Sequence, residues 1–151
     1  MTKRSLSRSK QHLLKSGIAF HGHLGPYLVL GLRMGMLAVR DLKPKQLHEL
    51  SAVVWTRELP PQSCVLDGIQ ISSGCTLGKG NIGVRGSRRT KARFRRGNQT
   101  LVIGTTEKAE TLLSGVSAGL HSLELEQLAL SLYRMPDREL FTTSVGKERS
   151  R

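Results

Sequence analysis

Two imidazoles two residues apart, in Phe20-His21-Gly22-His23, are the first residues in this chain whose types and spacing could do chemistry. The segment lies just ahead of Pro26 and is expected to be extended. Alternate side chains of an extended segment face the same way, so His21 and His23 should converge on one point. Imidazole suits zinc, iron, nickel or copper, and a thiolate narrows the choice towards zinc. The chain has two cysteines. Cys75, in a glycine-rich turn at the end of a helix, is the natural third ligand. Cys64, if residues 64 to 72 are helical, lies roughly 16 Å from Cys75 at 1.5 Å of rise per residue, too far to share one metal. The plainer readings stand beside this one: hydrogen-bonding loop histidines, and cysteines that are small buried hydrophobes.

Two phosphate motifs fail on context. Gly78-Lys79-Gly80-Asn81-Ile82-Gly83 fits G-x-G-x-x-G by letter. The dinucleotide mechanism needs a strand before it, a helix after it and an acid about 20 residues on. Here a helix precedes, a strand follows, and residues 98 to 103 hold no acid. A Walker A reading fails at both ends, with Ser73 at the first glycine position and Gly80 where Ser or Thr should hold Mg²⁺. What survives is a glycine-rich turn with one lysine, able to offer backbone N–H groups and a cation to an anion.

Charge is the strongest anomaly in composition. The 151 residues carry 24 Lys and Arg against 11 Asp and Glu, a formal +13. Residues 1 to 40 contain no acid, and neither does the window Gly68 to Thr106, which holds a local +8. Its cations Arg88, Arg89, Lys91, Arg93 and Arg95 are expected on a basic hairpin, Arg85 to Arg96, that attracts phosphates or an acidic protein surface. With strand geometry, Lys91, Arg93 and Arg95 share one face and Phe94 packs inward from the other. As a nucleic-acid surface the window offers only Phe94 for stacking, where single-strand binders present several aromatics.

The longest apolar run, Tyr27 to Val39, is broken by Arg33 and falls short of the ~20 residues that cross a bilayer. The basic N-terminus lacks the apolar core of a secretory signal. No membrane association is expected, and the reading is a cytoplasmic protein with reduced thiols.

The elements that must position these residues are mixed. A short first helix around His12 to Leu14 should end at Gly17. A second opens at Pro26, with Leu28, Leu32, Gly35, Met36 and Val39 as its apolar stripe and Gly31 and Gly35 admitting another backbone. Ala52 to Thr56 reads as a strand, and Ser63 as the N-cap of a helix that Gly74 terminates. Ile82 to Arg85, Thr90 to Arg95 and Thr100 to Thr105 read as strands. Glu107 to Leu113 and Leu123 to Tyr133 read as helices, the latter behind Ser122, and Leu140 to Val145 as an edge strand. The class is α+β, with helices packed on a mostly antiparallel sheet. Residues 1–145 form a single domain, and 146–151 a flexible basic tail.

Three strings in order now carry a resemblance: Phe20-His21-Gly22-His23-Leu24-Gly25-Pro26, Cys64-Val65-Leu66-Asp67-Gly68-Ile69-Gln70, and Ser73-Gly74-Cys75-Thr76-Leu77-Gly78-Lys79-Gly80-Asn81. Over residues 10 to 105 the chain resembles the FmdE family, named for the E subunit of molybdenum formylmethanofuran dehydrogenase of methanogens. The resemblance implies an α+β core that forms a homodimer, with a metal- or ligand-binding cleft. It also implies a place in the one-carbon chemistry of methanogenesis. By it, His21, His23 and Cys75 hold a divalent transition metal, zinc first, while Asp67, Gln70, Lys79 and Asn81 line the cleft and meet an anionic ligand. The family's first motif usually reads H-G-H-x-C-P-G, and here Gly25 replaces the cysteine and Tyr27 the last glycine. Metal binding is therefore expected to be weak. Many members carry a C-terminal zinc finger, and this chain has no cysteine after Cys75.

Three functions follow as expectations. The first is an accessory protein of a molybdenum- or tungsten-dependent one-carbon oxidoreductase, partnering its subunits. The second is a thiol-dependent enzyme with Cys75 as nucleophile, although thiolates are activated at helix N-termini and beside cations, whereas Cys75 follows a helix C-terminus. The third is a nucleic-acid or acidic-protein binding module using the basic surface.

Overall fold

Leu28, Leu30, Leu32 and Met34 are all fully buried, so the helix that carries them must lie inside the molecule rather than on it. The computed structural model describes residues 3–117 and 122–148, with side chains from Ser9 onward. Helix α2, Pro26–Leu42, is that central element and packs against α1, Lys3–His21, and α3, Val65–Ser73. It also packs on α5, Leu123–Arg134, and on the sheet. The remaining helices are α4, Glu107–Leu113, and the single turn α6, Asp137–Leu140.

Five strands form one sheet: β1 Leu50–Thr56, β2 Ile82–Gly86, β3 Lys91–Arg96, β4 Gln99–Thr105 and β5 Phe141–Lys147. Their order is β2-β1-β3-β4-β5, with β1 and β2 parallel and all other pairs antiparallel. Burial alternates along β1, β3 and β4 as the pleat requires, so Ala52, Val54, Ala92, Phe94, Leu101 and Ile103 point into the core beneath α2. Among the described residues the helices cover this face and leave the other open. The α+β class and the mostly antiparallel sheet are as expected.

The α2–α3 crossing is the tightest packing in the fold. A Cβ on Gly31 would lie 2.0 Å from the Val65 carbonyl oxygen, one on Gly35 1.9 Å from Ser72 Oγ, and one on Gly68 2.2 Å from the Leu28 carbonyl oxygen. Three glycines thus bring the two backbones into direct contact. The glycines spaced four apart on α2 are used up inside the chain, so they offer no surface to a second copy.

Four local expectations need correction. Helix α1 does not stop at Gly17 but runs to His21, because Gly17 sits where a Cβ would press on Leu32 at 3.0 Å, and that packing offsets glycine's poor propensity. Residues 85 to 96 are not a hairpin: β1 lies between β2 and β3. Ser63 is not an N-cap, since residues Gln62–Cys64 form a 3-10 turn that runs directly into α3. Finally, Gly146 and Lys147 belong to β5 rather than to a tail, paired with Thr100 and Gln99. Residues 149–151 of the expected tail lie outside the described residues. Pro26 at the α2 start, Gly74 at φ 76° ending α3, and Ser122 accepting from the Leu125 N–H all sit where the sequence predicts.

Candidate functional site

His21 occupies the last position of α1, where Gly22, at φ 101°, turns the chain and donates its N–H to the Ile18 carbonyl at 2.7 Å. Only glycine enters that left-handed region without strain. The turn, not an extended strand, brings the two imidazoles together: the His21 and His23 ring centroids are 4.6 Å apart. The convergence is as expected and the local conformation is not.

Helix α3 supplies the partner. His21 Nδ1 donates to Asp67 Oδ2 at 2.6 Å, with the His21 side chain only 9% exposed. The carboxylate accepts only, so a proton sits on Nδ1, and in the neutral imidazole the lone pair is then on Nε2. That Nε2 is buried and has no hydrogen-bond partner; among the described residues it is the one such side-chain atom. A shielded imidazole lone pair whose other nitrogen is fixed by a carboxylate is the arrangement that orients metal-binding histidines.

The two cysteines occupy the reverse of their expected environments. Cys75 is completely buried in the hydrophobic core. Burial pushes its thiol above the ordinary range, with Ser73 and Lys79 pulling weakly the other way. Cys64 is only half-buried and forms part of the wall of a cavity of about 140 Å³ with His23, Gly25, Pro61, Leu125 and Glu126. Its thiol too is raised, first by burial and then by the negative charge of Asp67. Both thiols therefore stay protonated at neutral pH, which counts against a cysteine nucleophile. Among the described residues no three His, Cys, Asp or Glu side chains converge on one point, so Cys75 does not join His21 and His23.

The Gly74 to Asn81 turn is a staple. Gln70 Oε1 accepts from the Leu77 N–H at 3.0 Å, and Asn81 Oδ1 from the Thr76 N–H at 2.8 Å. Asn81 Nδ2 in turn donates to the Leu50 carbonyl at 3.1 Å, tying the turn to β1. Thr76 Oγ1 accepts from the Lys79 N–H. Backbone N–H groups expected to cradle an anion are thus satisfied within the chain, and Lys79 projects from an exposed turn. Of Asp67, Gln70, Lys79 and Asn81, Asp67 is hydrogen-bonded to His21, while Gln70 and Asn81 bind the turn itself.

Sequence reasoning missed Glu126 and read Cys64 as part of the core. Glu126 is in the first turn of α5, where its type reads as a favourable charge on the helix dipole. Only the packing of α5 beside the α1–α2 turn makes it a cavity residue.

The basic residues divide. Arg95 pairs with Glu148 at 3.0 Å, and Arg89 donates to the Thr105 carbonyl oxygen. Lys91 and Arg93 instead lie over the Trp55 ring, at 4.6 and 5.7 Å from its centroid. Arg88 stands exposed in the β2–β3 connection.

Comparison with known proteins agrees with this architecture. The family model described as FmdE, molybdenum formylmethanofuran dehydrogenase operon, matches residues 20–142. The chain belongs to the FmdE family. A solved FmdE-like protein of the tungsten formylmethanofuran dehydrogenase type, from Syntrophus aciditrophicus, superposes with a TM-score of 0.64 at 19% identity, over 93% of this chain and 73% of that one. At that identity the likeness is one of fold. A probable S-adenosyl-L-methionine-binding protein of Archaeoglobus fulgidus is 32% identical over 76 residues, which are 46% of this chain. The match spans 19% of that relative's length.

Proposed function

We propose that this FmdE-family chain is an accessory protein that holds a divalent transition metal, zinc first, at the histidine pair closing α1. The protein serves a molybdenum- or tungsten-dependent one-carbon oxidoreductase rather than catalysing on its own. His21 holds the metal through Nε2, His23 stands beside it, and Asp67 keeps the His21 tautomer fixed. The remaining positions are left to water or to a small ligand entering from the cavity between Gly25 and Glu126. Two imidazoles without a thiolate make the binding weak, since structural zinc sites take four protein ligands and open ones three.

The observation that carries this reading is the buried, unpartnered Nε2 of His21. An orphaned polar atom costs about 1–3 kcal/mol, and a bound ion is one of the few things that removes the cost. Zinc and nickel binding, measured by competition with a chromophoric chelator and by metal analysis after dialysis, tests it. One metal per chain bound by the wild type and lost in His21→Ala supports the site. A wild type that binds no metal in the titration, or a His21→Ala variant that binds as well as wild type, overturns it. The homodimer implied by the family is part of the same proposal, and light scattering at micromolar concentration decides it.

A further inference from the structure

None of the five strands contains an Asp or Glu, while together they carry Arg85, Lys91, Arg93, Arg95, Arg96 and Lys147. The register gathers three of these around the single tryptophan of the chain. Trp55 on β1 is directly opposite Arg85 on β2 and Lys91 on β3, and Arg93 follows two residues further along β3. All four point away from the helices, because the alternate residues Ala52, Val54, Ala92 and Phe94 fill the core. Trp55 is half-buried, and Arg85, Lys91 and Arg93 are exposed. Among the described residues Arg95 alone on this face has a carboxylate partner, Glu148; no ion pair forms at Arg85, Lys91 or Arg93.

The sequence had offered this basic stretch only Phe94 as an aromatic. The fold buries Phe94 and supplies Trp55 from a strand outside the stretch. The result, among the described residues, is a sheet face without helices, with an indole flanked by cations at strand spacing, about 4.8 Å across the sheet and about 7 Å along it.

We propose that this face binds single-stranded nucleic acid, with a base stacked on Trp55 and the adjoining phosphates held by Arg85, Lys91 and Arg93. Long flexible cations that now lie over the indole are free to swing to phosphates, leaving the ring face to the base. The occupant follows from what each candidate gains. An acidic protein uses the cations but has no use for the indole. A second copy of this chain brings the same cations to the same place, and like charges repel. A duplex hides the base faces that an indole stacks on. An unpaired strand uses both features, phosphates for charge and bases for stacking.

The single tryptophan makes the test direct, since its emission reports this face alone. Wild-type protein is titrated with oligothymidylate and oligouridylate of about 15 nucleotides, within the range covered by sheet platforms, at ~50 mM salt and upward. The expected result is quenching of Trp55 with a log–log salt slope near −2, the value for about three phosphates on a single strand. The pair Lys91→Gln with Arg93→Gln should flatten that slope by about 1.4 and weaken binding at low salt. Trp55→Thr should weaken binding about 5- to 150-fold at unchanged slope, the loss of one stacked base. Lys15→Gln with Arg134→Gln, which removes the same charge from exposed helix positions, should change neither.

Three results overturn the proposal: no binding at ~50 mM salt, binding without quenching, or heparin matching the oligonucleotides in both affinity and quenching. Circular dichroism melts check each variant. Should Trp55→Thr fail to fold, wild-type quenching and the Lys91/Arg93 pair still decide.

Discussion

Asp67 on α3 reaches across to α1 and holds His21 Nδ1 at 2.6 Å, which leaves His21 Nε2 buried and without a partner. The pairing joins two of the three family motifs, and in the proposed site it makes a carboxylate one step removed from the metal a determinant of affinity. Asp67→Ala should therefore weaken zinc binding about 10- to 100-fold. Asp67→Asn should fall between, because its amide oxygen still accepts from Nδ1 but carries no charge. Chelator competition at neutral pH measures all three proteins. Equal affinities would separate Asp67 from the site.

The α2–α3 crossing gives a sharper expectation on stability. Gly31→Ala drives a methyl into the Val65 carbonyl and Gly68→Ala drives one into the Leu28 carbonyl, at 2.0 and 2.2 Å, and neither backbone atom can step aside. Each should cost about 3 kcal/mol or more, at the upper end for overpacked sites. Gly78→Ala meets nothing within 4 Å and should be close to neutral. Urea unfolding curves compare the three.

How much of this was legible varies with the range of the interactions. Local signals were: Pro26, Gly74 and Ser122 mark the ends they occupy, because capping and φ preference act within a few residues. The inward turn of Phe94 followed from period two alone. Non-local choices were not legible. Nothing near Gly17 announces that Leu32 will pack on it and carry α1 four residues further. Nothing between Arg85 and Lys91 announces that β1 will insert between their strands. The site divides in the same way. His21 and His23 were found by type and spacing, and Asp67 through the family motif. The environments of Cys64 and Cys75 depend on which helix covers which, and spacing along the chain does not encode that.

Acid should weaken the fold through Asp137. Burial alone would raise its carboxyl, but hydrogen bonds from Arg33 and Arg40, with their charges, outweigh burial and hold it below the usual range. A carboxylate depressed in the folded state adds stability above its unfolded pKa of about 3.9, and that stability is lost as pH falls through the folded value. Arg33 is 5% exposed but keeps the Leu132 and Tyr133 carbonyls as acceptors, so it is not stranded when Asp137 is neutral. Asp137→Asn should cost about 1 kcal/mol at pH 7, and the gap from wild type should close below about pH 4. Denaturant midpoints at pH 7 and pH 3 show whether it closes.

The thiols should react in a fixed order. Cys64 lines a cavity and Cys75 has no exposure, so a small alkylating reagent should count one thiol in the native protein and two in denaturant. Both thiols are raised by burial, and thiolate is the reacting form, so the rate at Cys64 should keep climbing with pH beyond about 8.5. Mass spectrometry of the peptides identifies the modified residue. Modification of Cys75 before Cys64 would reverse the assignment of wall and core.

The position that departs from the family motif offers the strongest test of the proposed metal site. Gly25 is buried at the start of α2, and a Cβ built there would lie 3.3 Å from His23 Nε2. Its backbone is extended, at φ −139° and ψ 157°, so a side chain enters without backbone strain once the His23 ring gives by a few tenths of an ångström. A cysteine at 25 therefore begins next to the imidazole that lies tilted against His21, on the wall that also carries Cys64. Gly25→Cys adds a thiolate to two imidazoles, and three protein ligands with one open position are what catalytic zinc sites use. Zinc affinity should rise by at least tenfold. It should also become steeper with pH, because the thiol must lose its proton to bind. Gly25→Ser, nearly the same size but a poor zinc ligand, separates a ligand effect from a packing effect. If Gly25→Cys and Gly25→Ser bind zinc equally, position 25 contributes no ligand and the histidine pair is not the metal's address.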